Sequence, residues 1–301
     1  MERYPSYIKL YEEDKLKDRV DLLYSKLESC DICPHKCGVD RLKDEKGFCK
    51  TGEKIYISSF FPHRGEEFPI RGYRGSGTIF LSYCNMRCVY CQNYDISHFG
   101  EGKLYSPEEL ASIMLYLQEE GCHNINWVSP SHVVPQLVRA LYIAVKNGLS
   151  IPVVYNTSSY DDPDTLKMLE GIVDIYLPDI KYLNEEYGKM YSKVKNYPEI
   201  AKKAIMEMYR QVGDLKTDET GIAYRGILVR HLVLPEDIST TKEVVDFLRS
   251  VSPNIHLNIM PQYHPYYNAF NYPEISRRLT SDEFLRAFKY AQDSGLNLIA
   301  D

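Results

Sequence analysis

From Thr78 onward, short apolar segments alternate with longer amphipathic ones. The pattern predicts strands near residues 78–82, 124–129, 152–156, 173–177, 226–233 and 255–260. It predicts helices near residues 106–120, 134–147, 163–170, 196–212, 240–250 and 280–294. Alternation of this kind is typical of βαβ units and a parallel sheet. Six such units predict an α/β fold, a partial (β/α)6 TIM-like barrel with its chemistry at the carboxyl ends of the strands.

The chain before Thr78 has a different character. Residues 8–28 carry apolar side chains at helical spacing and predict a helix that ends at a group of cysteines. Residues 30–77 are rich in glycine, proline and charge and have few apolar residues to form a core. We therefore predict two parts: an N-terminal helix with a cysteine-rich metal-binding lobe over residues 1–77, and the barrel over residues 78–301.

Composition narrows the class of protein. The 301 residues carry a formal net charge of −6, which argues against a dominant nucleic-acid footprint. No apolar run approaches the ~20 residues of a membrane span, and the charged N-terminus lacks a signal-peptide segment. The sequence therefore predicts a cytoplasmic protein without membrane contact. In such a reducing compartment, closely spaced cysteines favour metal ligation over disulfides.

Three cysteines directly follow the first predicted barrel strand. Cys84, Cys88 and Cys91 are spaced C-x3-C-x2-C, and three thiolates leave one iron of a 4Fe–4S cluster without a protein ligand. An open position of this kind is typical of a catalytic metal site. Zinc completed by His98 or Cys122, or buried cysteines without metal, are the alternatives that spacing alone leaves open. The position at a strand end favours the cluster.

Four further cysteines lie within twenty residues of the N-terminal lobe. Cys30, Cys33, Cys37 and Cys49 could saturate one metal centre, so this second site should be closed. A structural zinc and a second 4Fe–4S cluster both fit the spacing, which does not separate them. His35 could replace one of the cysteines.

The first cysteine motif, CNMRCVYC, resembles the signature of the radical S-adenosylmethionine (SAM) superfamily, with Tyr90 as the aromatic residue before the last cysteine. The resemblance implies that the amino and carboxylate groups of SAM chelate the open iron. It also implies that the reduced cluster cleaves SAM to a 5′-deoxyadenosyl radical, which abstracts hydrogen from a substrate. Reduced ferredoxin or flavodoxin would supply the electron.

Further along, the chain resembles glycyl-radical-enzyme activating proteins of the pyruvate formate-lyase activase type, in a branch with an N-terminal cysteine lobe. The matching segments are DIYLPDIK, VRHLVLP and IMPQYHP. They imply that Asp179, Lys181, Arg230 and His264 lie near the cofactor and that a glycyl residue of a partner enzyme is the target. From the residues alone, Asp179 and Lys181 could form a buried ion pair, Arg230 a surface clamp, and His264 a packing contact.

One part of the family pattern is missing. The second strand lacks the Gly-Gly-Glu stretch and continues as NWVSPSH, so the hydroxyl groups of Ser129 and Ser131 are the candidate acceptors for the cofactor ammonium. Asn156, at the end of the third strand, is the next candidate for a polar contact. Two other functions stay open: radical SAM modification of a small molecule or RNA, and a non-catalytic, metal-stapled binding module.

Overall fold

The computed structural model describes residues 5–299, and in this part of the chain ten strands form one sheet. The strands are β1 Ile55–His63, β2 Ser76–Leu81, β3 Lys103–Tyr105, β4 Ile125–Val128, β5 Val153–Thr157, β6 Ile175–Pro178, β7 Lys216–Thr217, β8 Ala223–Leu232, β9 His256–Met260 and β10 Asn297–Leu298. The α-helices are α1 Ser6–Glu12, α2 Lys15–Ser25, α3 Phe68–Arg71, α4 Tyr94–Ser97, α5 Pro107–Glu119, α6 Val134–Lys146, α7 Pro163–Met168, α8 Glu185–Tyr191, α9 Tyr197–Val212, α10 Thr241–Val251 and α11 Ser281–Asp293.

The six strands predicted from the sequence form the central part of the sheet. They are β2, β4, β5, β6, β8 and β9, which pair in this order and are all parallel. The short β10 adds a parallel strand beyond β9, whereas β1 pairs antiparallel with β2 and β3 antiparallel with β1. The sheet runs from β10 at one edge to β3 at the other. The predicted α/β class with a mostly parallel, partial barrel is confirmed.

Local signals place the helices where the sequence predicts them. Ser106 caps α5 in a capping box with Glu109, and Thr280 caps α11 in a second box with Glu283. Each box satisfies two backbone N–H groups that a helix start leaves without partners. Within residues 5–299, no helix has both the length and the apolar character that crossing a membrane requires.

Two features before β2 differ from the prediction. The helix predicted over residues 8–28 is divided into α1 and α2, because Asp14 adopts a left-handed conformation with φ of 59°. Strand β1 lies within residues 30–77, where the sequence has no clear strand periodicity. It pairs with β2 along registers such as Phe60 with Ile79, so the sheet extends across the division predicted at residues 77 and 78.

Two of the three apolar clusters of the described chain lie against the barrel sheet. One lies between the sheet and its helices, where Trp127 of β4 is fully buried in the same cluster as Ile113 of α5 and Leu137 of α6. The other is smaller and fills the barrel lumen, with Val154 of β5 and Leu228 of β8 among its members. Apolar packing therefore fills part of the barrel interior, and the carboxyl ends of the strands are left for polar side chains.

Helix α1 is tied to the amino-terminal end of the barrel by a buried carboxylate. Asp174, just before β6, accepts hydrogen bonds from the backbone N–H of Ser6 (2.8 Å) and of Val153 (3.2 Å). Burial raises the pKa of Asp174 to about 6, an effect that these hydrogen bonds only partly offset. The ionised form of Asp174 is therefore costly in the folded state.

The buried carboxylate of Asp174 should make the free energy of unfolding decrease as the pH rises. Because the pKa of Asp174 is higher in the folded than in the unfolded chain, its contribution to the free energy of unfolding should fall by about 2–3 kcal/mol between pH 4 and 7. The difference in unfolding free energy between wild type and Asp174→Asn, measured by urea denaturation across this range, should show that fall. Asp21→Asn, at an exposed position on α2, is the control. Parallel pH profiles for wild type and Asp174→Asn would contradict the assignment.

Candidate functional site

A cavity of about 320 Å³ opens at the carboxyl ends of the parallel strands. Every site residue that the sequence predicted in the barrel lines this cavity, except Ser131 and His264. These residues are Cys84, Cys88, Cys91, Tyr90, Ser129, Asn156, Asp179, Lys181 and Arg230. His264 lies outside the lining in the loop after β9, half-buried, with its ring against that of Tyr266. Met260 and Gln262 of the same segment line the cavity instead.

The loop with the three cysteines is anchored by backbone and serine contacts. Val89 N–H donates to the carbonyl of Tyr191 (2.8 Å), which ends α8. The sulfur of Cys88 lies 3.1 Å from the hydroxyl oxygen of Ser192, and that of Cys91 lies 3.1 Å from the hydroxyl oxygen of Ser97. These contacts fix the thiols on one side of the cavity.

The three barrel thiols are not placed as the ligands of a single zinc ion. The sulfur ligands of tetrahedral zinc, with bonds of about 2.3 Å, lie about 3.8 Å apart. Residues 5–299 contain no group of three or more His, Cys, Asp or Glu side chains placed to hold one metal ion. The two candidate fourth ligands are also engaged elsewhere, since His98 Nε2 lies 3.1 Å from the Cys88 carbonyl and Cys122 belongs to the apolar core. Burial raises the pKa of the Cys84 thiol to about 12, so its thiolate needs a bound metal.

Tyr90 supports the cysteine loop from within a group of tyrosines. It is buried together with Tyr182 and Tyr197, and its ring meets that of Tyr263 edge-on with centroids 6.1 Å apart. The hydroxyl of Tyr182 is hydrogen-bonded to that of Ser192, the residue beside Cys88. The aromatic residue of the cysteine motif therefore packs the loop onto the barrel.

A buried network of charges also lines the cavity. Arg230 Nε donates to Asp179 Oδ1 (2.8 Å), its NH2 donates to Asn156 Oδ1 (2.6 Å), and its NH1 donates to Glu66 Oε2 (3.3 Å). Lys181 Nζ lies 3.4 Å from the second oxygen of Asp179. The Arg230 side chain is only 16% exposed, so it is no surface clamp. Asp179 and Lys181 are both an ion pair and part of the cavity wall.

These contacts determine the protonation states in the wall. Burial alone would raise the pKa of Asp179, but the charges of Arg230 and Lys181 outweigh it and lower that pKa. Burial would lower the pKa of Lys181, but the charge of Asp179 outweighs it and raises that pKa, with a further contribution from Cys88. All three side chains therefore stay charged at neutral pH.

Two glutamates that sequence reasoning missed lie behind this wall. Glu66 and Glu67 are both buried in the segment between β1 and α3. Glu66 Oε1 accepts from Asn126 (3.3 Å), and Glu67 Oε1 accepts from Asn258 (2.8 Å). Burial raises the pKa of Glu67, whereas for Glu66 the hydrogen bond to His63 and the charge of Arg230 outweigh burial and lower the pKa. Consecutive glutamates in an irregular stretch give no sequence signal for such a position.

The serines after β4 occupy different places. Ser129 has a left-handed backbone with φ of 62°, lines the cavity and donates its N–H to the Asn156 carbonyl (2.9 Å). Ser131 is buried outside the lining, with its hydroxyl 3.1 Å from that of Thr157. Of the two candidate acceptors for a cofactor ammonium, only Ser129 has access to the cavity.

The four N-terminal cysteines come together in a separate place. Cys30, Cys33, Cys37 and Cys49 line one small cavity. Burial raises the pKa of the Cys33 thiol, and the other three thiols raise it further. His35 is not part of this lining; its ring stacks on that of Phe48 with centroids 3.8 Å apart.

Comparison with known proteins agrees with the geometry. The radical SAM superfamily profile matches residues 78–248, more than half of the chain. The uncharacterized protein MJ0674 of Methanocaldococcus jannaschii is 35% identical over 302 residues, covering 97% of this chain and 82% of the relative. Another uncharacterized protein of that organism, MJ0808, is 26% identical over 193 residues, covering 57% of this chain and 56% of the relative.

A solved structure shows the same fold. The crystal structure of a radical SAM methyltransferase from Sphaerobacter thermophilus has a TM-score of 0.50 and 16% sequence identity, and the match covers 73% of this chain and 64% of that one. The family match spans the strand before the cysteine motif, the motif itself and the strands that carry Asn156, Asp179 and Arg230. This chain belongs to the radical SAM superfamily.

Proposed function

We propose that this radical SAM enzyme abstracts a hydrogen atom from a glycyl residue of a partner enzyme, as its resemblance to activating enzymes implies. The observation that carries the chemistry is the shared cavity, which is lined both by three thiols and by a buried, charge-balanced network. The family implies a 4Fe–4S cluster and SAM, and this cavity offers both a ligand set and polar contacts for them.

The roles of the residues follow from their places. Cys84, Cys88 and Cys91 would hold a 4Fe–4S cluster through their three thiolates. Lys181 lies close enough to both Cys88 and Asp179 for its charge to act on them, so a cation suited to a carboxylate of the cofactor lies near the cluster. A bound cluster, reduced by ferredoxin or flavodoxin, would supply the electron for the reductive cleavage of SAM. Burial of the wall residues excludes water that would quench such chemistry.

The size of the cavity supports a target that approaches from outside. Ligand sites usually measure about 300–1,000 Å³, and this one, at about 320 Å³, is at the small end of that range. Cluster and cofactor together leave little room for an enclosed substrate. A substrate presented at the mouth, such as a glycine-containing loop of another protein, therefore fits better than a buried small molecule.

The mouth has a surface suited to a protein partner. Phe99 and Phe270 are 60% and 64% exposed, and the ring of Phe99 meets that of Tyr267. Tyr267 also stacks on Tyr94 and contacts His98, which lines the cavity. Exposed aromatic side chains beside a reactive cavity are typical of protein-binding surfaces.

The first experiment tests the chemistry and the target together. After anaerobic reconstitution and reduction with dithionite, wild type should convert SAM to 5′-deoxyadenosine. With a glycyl-radical enzyme of the formate-lyase type as substrate, it should also give a glycyl-radical EPR signal. The Cys84→Ala/Cys88→Ala/Cys91→Ala variant should give neither, because it cannot hold the cluster. Cys122→Ala, buried in the core but outside the cavity, should retain both.

The 5′-deoxyadenosine assay tests the SAM chemistry, and the glycyl-radical EPR signal tests the target. Undiminished 5′-deoxyadenosine formation by the triple variant would exclude these cysteines as the cluster ligands. Formation of 5′-deoxyadenosine by wild type, but no glycyl radical on the partner enzyme, would reject the glycyl target and leave the small-molecule or RNA target.

A second prediction concerns the charged wall. Arg230→Met leaves the buried Glu66 without its cation and leaves Asp179 paired with Lys181 alone, so the free energy of unfolding should fall by about 3–5 kcal/mol. SAM binding to the reconstituted protein should weaken roughly tenfold or more, because charge-assisted contacts are lost. Urea denaturation and equilibrium dialysis with SAM measure the two effects. Arg249→Met, on the exposed face of α10, should change neither, and an unaltered stability of Arg230→Met would refute the role of the network.

A further inference from the structure

The four N-terminal cysteines share a cavity but are not arranged as the ligands of one zinc ion. Cys30, Cys33, Cys37 and Cys49 line a cavity of about 10 Å³ together with six other residues. The sulfur ligands of zinc lie about 3.8 Å apart, and in residues 5–299 these four thiols do not form a group placed to hold a single metal ion. The cysteines are thus gathered around one point, but more widely than a single tetrahedral ion requires.

The arrangement of the N-terminal cysteines can be compared with that of the barrel cysteines. In residues 5–299 neither set of cysteines forms a group placed to hold a single metal ion. For Cys84, Cys88 and Cys91 the family assigns a 4Fe–4S cluster, which spreads its thiolate ligands over the corners of a cube. The N-terminal set shows the same combination of a shared cavity and spread sulfurs, with one thiol more.

A buried cation marks the N-terminal site as anionic. Arg41 is 1% exposed and lines the cavity with the four cysteines. Its guanidinium donates to the carbonyl oxygens of Gly52 (2.9 and 3.2 Å) and His132 (2.7 Å), and its NH1 lies 3.8 Å from the sulfur of Cys30. No carboxylate of the described chain is among these partners. A buried guanidinium without a counter-charge is costly, and four metal-bound thiolates would supply that charge.

The site also contacts the loop that carries the barrel cysteines. His35 Nε2 lies 2.7 Å from the carbonyl of Asn85, which follows Cys84. Arg87 NH2 donates to the carbonyl of Phe48 (2.8 Å), and the Arg87 guanidinium lies over the Phe48 ring at 4.7 Å. Residues adjacent in sequence to the N-terminal ligands therefore touch the segment between Cys84 and Cys88.

From these observations we propose that Cys30, Cys33, Cys37 and Cys49 bind a second iron–sulfur cluster, saturated by protein ligands, whose negative charge is compensated by Arg41. The cluster is a component of the folded lobe next to the barrel cysteines. The proposal goes beyond the proposed function and holds whether or not SAM is cleaved.

The decisive sample is the Cys84→Ala/Cys88→Ala/Cys91→Ala variant, which lacks the barrel cluster. After anaerobic reconstitution of the full chain with iron and sulfide, wild type should contain about eight irons and the variant about four, with matching acid-labile sulfide. The variant should keep the absorption band and the Mössbauer spectrum of a 4Fe–4S cluster. The reciprocal variant, Cys33→Ala/Cys37→Ala, should retain only the barrel cluster.

Other outcomes overturn the proposal. The triple variant could bind one zinc per chain without sulfide, or it could bind no metal while its far-UV circular dichroism stays that of wild type. Either result rejects a second cluster. If the triple variant does not fold, the iron content of wild type decides, because about four irons instead of eight leaves only the barrel cluster.

Arg41 is tested through the reduction potential of the second cluster. In the triple-variant background, Arg41→Met removes a buried positive charge beside an anionic cluster, so adding an electron becomes harder and the midpoint potential should become more negative. Arg41→Lys keeps the charge and should restore most of the shift. Lys43→Met, which removes a side chain that is 78% exposed, should leave the potential unchanged. Equal potentials for Arg41→Met and Arg41→Lys would reject charge compensation by Arg41.

Discussion

The interaction on which the site depends is the set of hydrogen bonds made by Arg230. Its guanidinium joins the ends of β5, β6 and β8 through Asn156, Asp179 and its own strand, and it reaches Glu66 in the segment after β1. Parallel strands are held side by side by their backbones, but nothing in that pairing positions side chains across the lumen. The guanidinium of Arg230 does so in a low-dielectric interior, because it donates hydrogen bonds to side chains from three different segments at once.

Both the barrel cavity and the N-terminal cysteine site contain a buried arginine whose charge must be compensated. Around Arg230, two cations and two carboxylates are paired, and burial keeps Glu67 from adding a further charge easily, because it raises the pKa of that residue. Around Arg41, a single buried cation is surrounded by carbonyl oxygens and thiols. The first site is balanced by its own side chains and is ready for a zwitterionic cofactor. At the second site, the proposed metal-bound thiolates would supply the charge that compensates Arg41.

The sequence predicted the regular part of the structure well. Each predicted barrel strand exists, since buried parallel strands give short apolar runs that helices with clear caps separate. The predictions failed where the chain is irregular. Strand β1 follows a cysteine-rich stretch without clear alternation, and the break at Asp14 depends on a single left-handed residue. For the site, the cysteines could be found because their close spacing follows a predicted strand. Asp179, Lys181 and Arg230 were found by family resemblance and line the cavity, whereas His264, found by the same resemblance, lies in a loop outside the lining.

By itself the sequence determined the order of the strands and helices along the chain and the two sets of cysteines. Periodicity and close ligand spacing involve residues that are near each other in the chain, so they can be recognised without the folded structure. Only the tertiary structure brought Glu66 behind Arg230, and Phe48 and His35 against the barrel cysteine loop. These partners are tens to more than a hundred residues apart in the chain, and their meeting depends on how β1 joins the sheet. Which charges are compensated, and which thiols share a cavity, is therefore decided by packing, since burial is what makes an unpaired charge costly.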